Sequence, residues 1–110
     1  METPDMRIQV NTDKNISGAE ALAQSVEETL KHVLARFSDH ITRLEVHLSD
    51  ENSTSKSGVM DKRCLLEARL AGRESTSVSD LALTVDQAVS GAAHTMVSLL
   101  DSGLGKLSTR

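Results

Sequence analysis

The sequence predicts an α+β domain of two layers: a mixed, mostly antiparallel sheet with two helices on one face, in the order β-α-β-β-β-α. Two observations carry most of that prediction. Short stretches near the start and in the middle alternate apolar and polar residues with a period of two, the mark of half-buried strands. Two longer stretches repeat apolar residues at steps of three and four, the mark of amphipathic helices. A third observation sets the scale. With 110 residues, 38% of them hydrophobic, the chain is sized for one core, and we read residues 1–110 as a single domain.

The first strand is Met6 to Asn11, with Met6, Ile8 and Val10 on one side and Arg7, Gln9 and Asn11 on the other. After a turn-rich stretch, Ser17 and Glu20 fit a capping box, in which each side chain satisfies a free backbone amide at a helix start. The first helix is read from Ala19 to Phe37, about five turns, with Leu22, Val26, Leu30, Val33 and Phe37 as its stripe. Its acids come early, and Lys31, His32 and Arg36 come late, which suits the helix dipole.

Thr42 to Ser49 is the second strand, with Leu44, Val46 and Leu48 inward. A polar, serine-rich loop follows from Asp50 to Gly58. Lys62 to Ala71 is the third strand, with Cys64, Leu66, Ala68 and Leu70 on one face. Gly72 is a hairpin-turn position, and Glu74 to Val78 is read as a short fourth strand. Ser79 is the expected cap of a second helix beginning near Asp80, with Leu81, Val85, Ala88, Ala92, Met96 and Leu99 as its stripe. Gly103 is the expected helix-ending glycine. Residues 1–5 and 104–110 are expected to be flexible ends. The two strands joined through a helix should be parallel, and those joined by short links antiparallel.

Composition excludes several classes of function. Phe37 is the only aromatic residue, so the chain lacks the usual platforms for stacking on unpaired bases. Twelve basic residues against sixteen acidic ones give a net charge of −4, which opposes a broad nucleic-acid footprint but leaves room for a local basic patch. Cys64 stands alone, excluding an intrachain disulfide and a cysteine-based zinc site. No signal peptide and no apolar run near the ~20 residues of a membrane span is visible, so the expected setting is cytoplasmic. The four histidines show neither an i, i+4 pair nor a metal motif, no serine sits in a nucleophile motif, and no phosphate-binding glycine loop occurs. The chain is expected not to be an enzyme and to need no cofactor.

Several motifs in sequence order resemble the ribosome hibernation-promoting factors, also called ribosome-associated translation inhibitors. Met6-Arg7-Ile8-Gln9-Val10 followed by Asp13-Lys14-Asn15-Ile16 resembles that family's opening strand and G-x-N sequence. Glu20-Ala21-Leu22 stands at the first helix start, and Phe37-Ser38-Asp39-His40-Ile41 is similar to F-D-x-I. Asp80-Leu81-Ala82-Leu83-Thr84-Val85-Asp86 resembles D-M-Y-A-A-I-D at the second helix. The resemblance covers roughly Met6 to Leu100. It implies a short-form protein that binds the small ribosomal subunit and its rRNA where messenger and transfer RNA would lie, silencing translation as a stress response. It implies neither a membrane nor a DNA partner. The basic run of the family's second helix is replaced here by Gly91, His94, Ser98 and Leu100, and no Lys or Arg occurs from Asp80 to Gly103.

The candidate RNA-contacting residues are Lys31, His32, Arg36 and His40 at the end of the first helix, with Lys62, Arg63 and Arg73 flanking the third strand. The same residues also fit a solvated, dipole-favoured helix end and a solvated hairpin rim. Arg7, Arg43, Arg63 and Arg69 fall on the outer sheet face among Glu45 and Glu67, a pattern that fits ordinary surface ion pairing. Two functional readings remain open. One is a divergent ribosome-associated regulator of translation. The other is an interaction module that kept the fold but lost the RNA surface and pairs as a homodimer through its second helix, where Ala92, Ala93, Val97 and Leu100 suggest a wide apolar surface.

Overall fold

In a computed structural model, residues 7–13, 16, 18–50 and 61–108 are described, with 19 and 104–108 by backbone alone. The elements are β1 (Arg7–Thr12), α1 (Ala19–Val33), a 3-10 turn (Ala35–Phe37), β2 (Ile41–Asp50), β3 (Lys62–Leu70), β4 (Thr76–Ala82) and α2 (Val85–Ser108). The four strands lie in the order β1-β2-β3-β4, with β1 and β2 parallel and the later pairs antiparallel. This is the α+β architecture that the alternation and helical stripes predict. Ser17 of the expected capping box, most of the expected loop between β2 and β3, and residues 1–5 lie outside the described residues.

Alternation places Leu44, Val46 and Leu48 of β2 and Cys64, Leu66 and Ala68 of β3 on one buried face. The helices cover that face: α1 lies against β1 and α2, and α2 lies over β3 and β4. From α1 come Val26 and Leu30, followed by Leu34 and Phe37 beyond its end. From α2 come Ala88, Val89, Ala92, Ala93, Met96 and Leu100. Truncating one of the fully buried leucines, such as Leu30, leaves a cavity and costs about 2–5 kcal/mol.

Several local expectations are corrected. The first helix ends at Val33, not Phe37. Leu34 leaves helical geometry at φ −101, after which the Phe37 and Ser38 amides bond to the Leu34 and Ala35 carbonyls at 3.0 and 3.1 Å, an i to i+3 pattern. Three residues per turn keep Leu34 and Phe37 on the same buried side, which is why the apolar spacing runs on past the helix. At the start of α1, the cap position is Gly18 at φ +68, without a side-chain cap.

The fourth strand is longer and later than expected, so Ser79, Asp80 and Leu81 belong to β4 and do not open the second helix. Thr84 caps α2 instead: its Oγ1 accepts the Gln87 amide at 3.1 Å. The segment from Asp80 to Asp86 therefore spans a strand end, a turn and a helix start. Of the expected stripe, Leu81 and Leu99 are 46% and 44% exposed, while Leu100 is buried. Helix α2 also runs through Gly103 to Ser108, so that glycine ends nothing. Finally, Ala92, Ala93 and Leu100 are buried within the fold, and the wide apolar surface proposed for pairing through the second helix is largely spent on the protein's own core.

Candidate nucleic-acid interface

Chain direction divides the sheet into two ends of different charge. Helix α1 delivers Lys31 and His32, both exposed, to its last turn, where the free carbonyls favour cations. The 3-10 turn adds Arg36, whose guanidinium lies 4.8 Å from the Phe37 ring centroid and 2.5 Å from an Asp101 carboxylate oxygen of α2. Both partners of that ion pair are more than half exposed, so its net strength falls in the range of about 0–1 kcal/mol and it yields readily to another anion.

His40 follows, exposed, and its carbonyl accepts the Ala71 amide at 2.9 Å. That bond holds the β3–β4 hairpin beside the start of β2. Gly72 turns the hairpin at φ +69, a left-handed conformation that suits glycine, and Arg73 stands exposed next to it. Arg73 also lines a groove of about 490 Å³ floored by Leu70, Leu99 and Leu100. Five of the candidates, Lys31, His32, Arg36, His40 and Arg73, thus belong to the end of the molecule where α1 stops and the hairpin turns.

The other two do not. Lys62 and Arg63 stand at the opposite end of β3, roughly 25 Å away along the strand. Lys62 is held by acids: its Nζ lies 2.8 Å from Asp61 and 3.4 Å from Asp50. The Asp61 hydrogen bond, with the Asp50 charge behind it, raises the Lys62 pKa against the lowering effect of burial. Asp13 joins this end, accepting the Asp50 amide at 3.2 Å. Arg63 is on the outer face, between Ser49 and Leu81.

Strand register adds a feature that parity alone does not give. Arg7 stands opposite Arg43 and Arg43 opposite Arg69, so three arginines form a row across the outer face at the basic end. The next row holds Gln9, Glu45, Glu67 and Ser77. Arg43 bonds to Gln9 and to Glu45, the latter at 3.1 Å, so the surface ion pairing expected from sequence is present for that residue. Each arginine is legible as outward-facing, but only the pairing register aligns them. Acids are present at this end too, in Asp39, Glu74 and Asp101. Among the described side chains, the exposed side of α2 presents Asp86, Gln87, His94, Thr95 and Ser98, with neither Lys nor Arg.

No protein-family profile matches the chain, and no curated protein matches it by sequence. Several solved structures share its fold, among them the following two. The N-terminal domain of protein Y from Thermus thermophilus aligns with a TM-score of 0.69 at 18% identity, covering 88% of this chain and 98% of that one. A ribosomal subunit interface protein from Coxiella burnetii aligns with a TM-score of 0.67 at 18% identity, covering 96% of this chain and 100% of that one. Over nearly its whole length, the chain has the fold of these two proteins.

Proposed function

We propose that this chain is a ribosome-associated regulator of translation that binds the small ribosomal subunit through rRNA phosphates. The observation that carries this reading is the end-to-end fold likeness to a protein of the ribosomal subunit interface, the partner class implied by the sequence resemblance. The gathering of Lys31, His32, Arg36, His40 and Arg73 at one end supplies a means of contact, and the arginine row extends it around the sheet edge. On this reading the protein is a binding module, not a catalyst. It acts in the cytoplasm under conditions that silence ribosomes.

The reading assigns contact to the α1 end and the hairpin, not to α2, because phosphate affinity comes mainly from clustered cations. Lys62 and Arg63 are left out of the interface, since they lie at the acid-rich end. Pelleting with purified small subunits at low salt is the direct test. Co-sedimentation that weakens steeply with added salt is expected. Protein that stays in the supernatant at every salt concentration would overturn the proposal.

A further inference from the structure

The outer face of the sheet brings together three side chains that sequence spacing leaves apart. Glu45 and His47 are two residues apart on β2 and therefore point the same way. Glu67 of β3 stands directly opposite Glu45, while His47 stands opposite Leu65. One ligand atom from each of Glu45, His47 and Glu67 lies within 4.8 Å of the others. Two carboxylates directly across a strand pair repel one another. An imidazole beside them turns that arrangement into a mixed nitrogen and oxygen donor set.

We propose that Glu45, His47 and Glu67 form a site for a divalent transition-metal ion of the zinc class. His47 Nε2 lies 3.7 Å from Glu45 Oε1. Ligand arms of about 2.1 Å in a tetrahedron require separations of about 3.4 Å, so these two donors are already spaced to share an ion. A carboxylate oxygen of part-buried Glu67 lies within 4.8 Å of both. Arg43 Nε bonds to the other Glu45 oxygen at 3.1 Å, which fixes the carboxylate and leaves Oε1 turned toward His47. A partner that orients a ligating carboxylate in this way is a common feature of metal centres.

The donors also select the ion. Two carboxylates and a neutral imidazole carry two negative charges, matching a dication. A nitrogen donor and a small coordination number favour zinc-class ions over magnesium, which holds to six oxygens in octahedral geometry. With three protein ligands, the fourth position faces solvent and takes water. His47 is 45% exposed, so the ion has direct access from solution.

The test is calorimetric titration of the intact chain with zinc chloride in a non-chelating buffer containing excess magnesium. Saturable binding of one equivalent is expected. His47→Gln and Glu67→Gln should each weaken it by at least about tenfold, while His94→Gln, on α2 behind the sheet, should leave it unchanged. Circular dichroism of each variant reports whether the fold is intact, and two independent ligand substitutions prevent one unfolded variant from deciding the result. Absent binding, displacement by magnesium, or full-strength binding in both ligand variants would overturn the proposal.

Discussion

Asp80 puts a carboxylate on the inner face of β4, opposite Cys64, where alternation alone calls for an apolar side chain. Helix α2 accommodates it with Gly91: a Cβ at that position would overlap the Asp80 carboxyl group. The glycine interrupts a helix, where alanine is favoured by about 1 kcal/mol, so the close approach accounts for its presence. Gly91→Ala is expected to lower stability by about 1–3 kcal/mol through overpacking. In an Asp80→Ala background the same change should be neutral or stabilising, because the overlap is gone. Chemical denaturation of the four proteins in that cycle measures the coupling.

Cys64 is fully buried beside the same carboxylate, and burial, with the Asp80 charge adding to it, pushes its thiol from 9.0 up to about 12. The folded protein therefore retains a proton that the unfolded chain releases above pH 9, so the unfolded chain binds fewer protons there. Stability falls as pH rises from about 9 toward about 12. Cys64→Ala should show a shallower alkaline decline in denaturation midpoint. The native thiol should also react with alkylating reagents only as fast as the protein opens.

Among the elements, β1, β3, the body of α1 and β2 from residue 43 onward were legible because each follows a single period, whereas a register shift between Ile41 and Arg43 breaks the alternation at the start of β2. The β4–α2 boundary was not, and the reason is chemical. With Asp80 facing inward, the run Val78, Asp80, Ala82 does not read as a strand, while Ser79 before Asp80 imitates a helix cap. The functioning cap, Thr84 with Gln87, lies five residues later. Thr84→Ala is expected to destabilise the protein by about 1 kcal/mol, measured by thermal or urea unfolding, while Ser79→Ala should have a much smaller effect. The basic end was partly legible, since Lys31, His32, Arg36 and His40 are close in sequence. Placing Arg73 beside them required the hairpin contact at His40, and the arginine row required the register of three strands. Conversely, nothing in the spacing of Lys62 announced that Asp50 and Asp61 would hold it.

At the scale of the whole molecule, a net charge of −4 conceals a division between two ends. Asp13, Asp50 and Asp61 gather at the end where β3 begins, and the exposed last turn of α1 and the hairpin carry cations at the other, with Asp39, Glu74 and Asp101 among them. An acidic protein can therefore approach RNA end-on, with its acidic end directed away. A small footprint follows, and affinity should depend on few phosphate contacts. The measurement that tests this most directly is the salt dependence of binding to purified small ribosomal subunits, for the native chain and for Arg36→Ala with Arg73→Ala. Each lost phosphate contact should reduce the slope of log affinity against log salt by about 0.7–0.9. The double variant should thus bind more weakly with a slope lower by about 1.5, while Lys62→Ala leaves the slope unchanged. Equal slopes for the native chain and the double variant, or no binding by the native chain at low salt, would contradict the account.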